Sequence, residues 1–316
     1  MKKLALALLV FFVFAGSAFA AYPNQPITFI CPFAAGGGTD AVARILATLM
    51  QNELGVPVNV VNRTGGNGVV GHLAMLTAKP DGYTIGLGTV EMAMFNWMGL
   101  AGFTPSDFTP ICGVNVDSAA ITVPADGWKD YAEFIADVKA NKGKYTASGT
   151  SVGGIWHLAM AHWLIGEGLA ADHVRWIPSA GAAPAQQEMV AGGVSMVTCS
   201  LAEVSALVDA GRAKVLAYMG EERFSKYPGA PTLKELGVPV STGTWRGVFG
   251  PKDMPEDVLK KLEDVLTKVV ASKEFVDFMN SRGLGIRFLP SKEWGEFTVN
   301  ANTQFGVVMK EAGLSK

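Results

Sequence analysis

The chain has 316 residues, 49% of them hydrophobic, with 26 Lys and Arg against 28 Asp and Glu and a net charge of −2. This near-neutral balance excludes the basic footprint of a nucleic-acid binder, and the length predicts two domains, each able to bury a core. Cys31, Cys112 and Cys199 stand far apart in apolar surroundings, and neither they nor the four histidines show zinc-site spacing; buried thiols are expected, no metal, and pairing of two cysteines in an oxidising compartment stays open.

The chain opens with "MKKLALALLVFFVFAGSAFA": Lys2 and Lys3, an apolar run over 4–14, then small residues at Ala18 and Ala20. This is the pattern of a signal peptide cut after Ala20, which predicts an exported chain. The apolar run is shorter than the roughly 20 residues of a spanning helix, and no later segment is apolar for long enough.

Next come a short strand at Ile27–Cys31, a loop over 32–38, and a helix with Val42, Ile45, Leu46 and Leu49 on one face. Thr39 is the expected N-cap and Gly55 the stop. A second unit runs from a strand at 57–62 through "RTGGNG" to a helix ending near Ala78 and the strand "YTIGLG". After a helix over 128–139, the pattern of strand, small-residue turn and helix recurs in "YTASGTSVGGIWH" and in "VRWIPSAGAAPAQQEMVAGG", with further strands at 194–199 and 213–219. Val258, Leu259, Leu262, Val265, Leu266 and Val269 mark one long amphipathic scaffold helix after Pro255. Such alternation predicts α/β layers with the glycine turns at the carboxyl ends of strands, where ligands of open sheets bind. Helix N-termini meeting there favour an anion, each carrying about half a positive charge.

Two motifs point to enzymes. Gly149-Thr150-Ser151-Val152-Gly153 matches the G-x-S-x-G elbow of serine hydrolases, but such a triad needs a histidine late in the chain, and the last is His173. Gly66-Asn67-Gly68-Val69-Val70-Gly71 matches a dinucleotide turn, with Glu91 after the next strand, yet it sits in the second unit and before a short helix. A glycine turn against a cleft is the simpler reading, and no cofactor is expected. Asp40 is balanced between compensating a helix dipole and accepting from a ligand. Trp156 and Trp245 read as core more readily than as ligand walls, and Arg246 as an ordinary salt bridge slightly more readily than as a partner for a second carboxylate.

The segments "YPNQPITFICPFAAGGGTD", "NRTGGNGVVG", "KPDGYTIGLGT", "YTASGTSVGGIWHL", "IPSAGAAPAQQEMVAGGV" and "YPGAPTLKELGVP" followed by "TWRGVFGP" together resemble the solute-binding proteins of tripartite tricarboxylate transporters, the TctC or Bug family, over essentially the whole chain after Ala20. The resemblance implies a type II periplasmic binding-protein fold: two α/β domains, 21–121 with 246–316 and 122–245, a cleft between them, and crossovers near 121–124 and 244–247. It implies a monomeric receptor, not an enzyme, that delivers a small organic carboxylate to large and small permease subunits. One jaw of the carboxylate clamp would be Phe33, Ala34, Ala35, Gly37, Gly38, Thr39 and Asp40, and the other Gly149, Thr150, Ser151, Gly153 and Gly154. Thr89, Glu91, Ser179 and Gly181 would be walls.

This chain departs from the family pattern: Ser151 stands at a glycine position, Gly154 replaces a hydroxyl residue, Ser195 and Cys199 replace aspartates, and Ser179 replaces Tyr or Asn. Fewer acids in the second domain favour a more anionic ligand, whereas Glu91 favours an ammonium or neutral group, so the ligand's identity stays open. The alternatives are an esterase using Ser151, a dinucleotide-dependent enzyme using 66–71, and a periplasmic sensor input.

Overall fold

The computed structural model describes residues 22–33, 35–179, 181–224 and 226–315. The expected leader, 1–20, and Ala34 of the first jaw lie outside the described residues. Strand β1 (Ile27–Cys31) leads through the first glycine loop into α1 (Gly38–Leu54), and β2 (Val58–Asn62) leads through the second into α2 (Val69–Leu76). Then follow β3 (Thr84–Thr89), the short α3 (Phe95–Met98) and the long β4 (Phe108–Ser118). Past Ala119 come β5 (Ala120–Pro124), α4 (Tyr131–Ala140), β6 (Thr146–Ser148), α5 (Ile155–Gly166), β7 (Arg175–Trp176), α6 (Ala182–Val190), β8 (Met196–Val197), α7 (Leu201–Asp209) and β9 (Ala213–Tyr218). The chain returns through β10 (Gly243–Pro251) to α8 (Glu256–Ala271), α9 (Lys273–Ser281), β11 (Leu289–Pro290) and α10 (Ser291–Glu311).

The strands form two sheets, ordered β11-β4-β10-β3-β1-β2 and β7-β6-β8-β5-β9. Strands joined by helix crossovers run parallel, β1 with β2 and β3, and β6 with β7 and β8. The parallel neighbours put each glycine turn at the carboxyl edge of its sheet. The connecting strands run antiparallel, β10 between β3 and β4, and β5 between β8 and β9.

The chain passes between the sheets twice, and the two passages bond to each other. Ala119 N–H donates to the Thr242 carbonyl over 2.9 Å, and Thr242 N–H to the Met219 carbonyl over 3.0 Å. Opposite Ser118, a Cβ on Gly243 would lie 2.3 Å from the Asp117 carbonyl oxygen, so the close approach of the strands requires glycine. The first passage is complete by Ala120 and the second by Gly243, slightly before the expected segments, because Ile121 already pairs with Ala217 and Thr244 with Asp117.

Two helix boundaries differ from the sequence reading. Gly37, not Thr39, caps α1, since the Thr39 hydroxyl is drawn to Arg246. The single long tail helix is two: Ser272 turns extended, and its side chain accepts the Phe275 N–H to start α9. Strands β4 and β10 and helix α10 carry no glycine-turn signature and escaped the element-by-element reading.

One face of the first sheet packs on α1, α8 and α9 through Val42, Leu46, Leu262, Leu266 and Phe275. Its other face joins a core that runs through Phe95, Phe249, Trp245 and Trp294 into the second sheet, at Trp156 and Trp163. All three cysteines are buried and free. No helix among the described residues is long and apolar enough to cross a membrane.

Candidate functional site

The first jaw is the turn between β1 and α1. Gly36 takes φ +86°, a left-handed conformation open to glycine. Behind the turn, Asp40 is 3% exposed and acts as its fastener. Its Oδ2 accepts from Gly36 N–H and Arg44 Nε, and its Oδ1 from Asn62 Nδ2, each over 2.9 Å. Burial alone would raise the Asp40 carboxyl, but these donors outweigh it and hold it at about 2. Of the two readings of Asp40, the structure places it under the loop rather than in the cleft.

The second glycine turn is explained without a dinucleotide. Gly66, Asn67 and Gly68 all have positive φ, and a Cβ on Gly71 would lie 2.6 Å from Pro32 Cα and 2.7 Å from the Arg63 carbonyl oxygen. The first two glycines shape the turn; the third lets α2 lie directly on the first jaw. Fully buried His72 fixes this turn to the end of β3, with Nδ1 2.7 Å from the Gly68 carbonyl and Nε2 accepting the Thr89 N–H over 3.2 Å. The bonds assign one neutral tautomer, with the proton on Nδ1. Burial lowers His72 to about 4 despite the Gly68 carbonyl. The Thr89 hydroxyl donates to Glu91 Oε2.

The second jaw joins β6 to α5. A Cβ on Gly149 would press to 2.6 Å from Trp156 Cβ, so this glycine lets α5 close onto the strand. The Thr150 carbonyl accepts from Ser179 N–H over 3.0 Å, which ties the third turn to this one. Gly153 has φ +76°, and its N–H donates to His157 Nδ1 over 3.0 Å. The His157 ring stacks on Trp176, and burial lowers it to about 4.

Between the jaws lies a cleft of about 410 Å³. Of the residues expected in the site, it is lined by Phe33, Thr39, Thr89, Glu91, Thr150, Ser151, Ser179 and Gly181. Ala35, Gly37, Gly38, Asp40, Gly149, Gly153 and Gly154 shape the jaws without lining it. Asn67, Ile155, Ala182, Glu203 and Thr244 line it and were not expected there, and so do Trp156 and Arg246, which read more readily as core and as a salt bridge. Trp156 is buried and still presents an edge to the cleft, whereas Trp245 is core, packed edge-on against Trp294.

Arg246 holds the floor. It is 8% exposed; its Nε donates to the Thr39 hydroxyl over 3.0 Å, and its Nη1 to Asp117 Oδ2 over 2.8 Å and to Asn115 Oδ1. Among the described residues no acceptor takes Nη2, which lies 3.5 Å from where a Cβ on Gly38 would stand, beside the N-terminus of α1. The N-termini of α5 and α6 approach from the other sheet through Ile155 and Ala182, whereas that of α7 is closed by the Ser200–Glu203 capping box. Orphan helix N–H groups and a guanidinium edge are donors suited to an anion. The sequence offered Arg246 as a salt bridge or a partner for a carboxylate; its burial comes from strand pairing far along the chain.

The geometry does not assemble a Ser151 triad. Ser151 has none of the positive-φ strain found among the described non-glycine residues at Asn67 and Asp253. The Nδ1 of His157 is taken by Gly153, and His173 Nε2 lies 2.8 Å from the Val138 carbonyl. No group of three or more His, Cys, Asp or Glu that could hold a metal occurs among the described residues.

The family model described as "Tripartite tricarboxylate transporter family receptor" matches residues 42–314. A TctC solute-binding protein from Polaromonas, solved without ligand, is 33% identical, with a TM-score of 0.80 over 92% of this chain and 99% of that one. Protein BugT of Bordetella pertussis is 28% identical over 298 residues, covering 92% of this chain and 90% of BugT. An R. palustris protein solved with adipate shares the fold, with a TM-score of 0.82 at 22% identity over 93% of this chain and 99% of that one.

Proposed function

The chain belongs to the tripartite tricarboxylate transporter receptor family, and from that membership we propose that it captures a small organic carboxylate between its two sheets and delivers it to the large and small subunits of a membrane permease. The observation that carries this reading is the cleft floor: the free edge of buried Arg246 beside the N-terminus of α1, faced by the N-termini of α5 and α6 from the other sheet. The volume of about 410 Å³ suits a small acid. The adipate bound to the R. palustris protein is an acid of this class.

In this reading residues 22–118 with 243–315 form one domain and 120–241 the other, with Ala119 and Thr242 in the passages between them. Ligand bridging the jaws stabilises closure, because only the closed state offers it both sets of donors. The protein works as an exported periplasmic monomer, cut after Ala20, with no cofactor and no catalytic step.

The test is a thermal-shift screen of the purified protein against di- and tricarboxylates, aromatic carboxylates and amino acids, with mass spectrometry of copurifying small molecules. A raised melting temperature with one carboxylate class is expected. No shift with any carboxylate, and none copurifying, defeats the receptor reading.

A further inference from the structure

Among the described residues, the ionisable side chains that line the cleft are Arg246, Glu91 and Glu203. The charge of Arg246 is already matched by Asp117, which bonds it over 2.8 Å on the side away from α1. Three carboxylates therefore stand against one guanidinium. The two glutamates come from opposite sheets: Glu91 from the turn after β3, and Glu203 from the first turn of α7. In both, neighbouring protein groups bond to Oε2, the Thr89 hydroxyl in one case and the Ser200 N–H and hydroxyl in the other, so Oε1 remains for a donor on the ligand.

A ligand carboxylate settles at the unengaged Nη2 of Arg246 and the N-terminus of α1. A second carboxylate would then face two glutamates across the cleft, where like charges repel. A protonated amine instead meets an acceptor from each sheet and offsets the charge of the acid it accompanies. We propose that the ligand is an amino carboxylate, held by its acid at Arg246 and α1 and by its ammonium between Glu91 and Glu203. This rests on the carboxylate-receptor reading and narrows it. Because the two glutamates belong to different sheets, the ammonium also rewards closure.

Calorimetric titration of the purified protein compares ω-amino carboxylates and α-amino acids with mono- and dicarboxylates of the same carbon count. The best amino carboxylate should bind at least about tenfold more tightly than its matched monocarboxylate and its matched dicarboxylate. Glu91→Gln and Glu203→Gln should each erase most of that margin, weakening the amino carboxylate about tenfold and tightening the matched dicarboxylate. Both changes keep size and hydrogen bonding, and circular dichroism of each variant checks the fold. Dicarboxylates binding as tightly as amino carboxylates, or a margin that survives both substitutions, overturns the proposal and leaves the receptor reading intact. If no carboxylate binds at all, both fall.

Discussion

Arg246 Nη1 donates to Asp117 Oδ2 over 2.8 Å, and this pair joins the strand by which the chain leaves the first sheet to the strand by which it returns. Asp117 also accepts the Gly285 N–H over 2.8 Å and the Asn115 amide over 3.1 Å. The residue that presents a cation to the cleft is thus locked into the strands that connect the sheets.

Arg246→Met removes the partner of three buried polar groups, Thr39, Asn115 and Asp117, and leaving Asp117 unpaired should cost about 3–5 kcal/mol. The urea midpoint should fall accordingly, and carboxylate binding should be lost. Adding Asp117→Asn should recover part of the stability without restoring binding. Independent, additive losses in the double variant would show that the pair is not coupled.

Gly71→Ala places a methyl against the backbone of Pro32 and Arg63. The helix or the first jaw must move, at about 1–3 kcal/mol, and ligand affinity should drop with it. The Gly36→Ala change meets no neighbour within 4 Å and only opposes φ +86°, so about 1–2 kcal/mol is expected. A spectroscopic titration should also detect no nicotinamide or flavin dinucleotide binding; saturable binding would return the 66–71 turn to its enzymatic reading.

Ser151→Ala should leave ester hydrolysis at the buffer background, as in the unmodified protein, because His157 Nδ1 is taken by Gly153 and His173 Nε2 by Val138. Its hydroxyl lines the cleft, so ligand affinity should change by about tenfold at most, the range of one neutral hydrogen bond. Ester turnover that the substitution abolishes would overturn the receptor reading.

Asp40 is held at about 2, below its ordinary value of 3.8. A depressed folded-state carboxyl stabilises the protein fully above the unfolded value and loses that contribution as pH falls through the folded one. Stability from this group should therefore decline between about pH 4 and pH 2, by about 2 kcal/mol. Urea unfolding of the protein and of Asp40→Asn across that range measures it; parallel curves would show that Asp40 is not fastened as described.

Local chemistry in the sequence was enough to foresee the repeated units of strand, glycine turn and helix, while the choice of two of those turns as jaws came from the family resemblance. Gly36, Gly68 and Gly153 signal turns because left-handed backbone is a local requirement, and the apolar faces of α1 and α8 follow a helical period. The break at Ser272 was missed because serine caps a helix only where the chain has already turned. The elbow and dinucleotide patterns were ambiguous for the same reason: a glycine turn between a strand and a helix has one local geometry whatever it binds.

Sequence alone determined that the glycine turns exist and, through the order of their motifs, to which family they belong. Only the tertiary structure decided which residues meet between them. Asp40, 22 positions from Asn62, went beneath the loop, whereas Arg246, 207 positions from Thr39, came to the cleft floor. The antiparallel pairing of β4 with β10 brings Asn115 and Asp117 to Arg246. Turn conformation depends on neighbouring residues, but the partner of a buried charge depends on which distant strands pair, and that is settled by packing of the whole core.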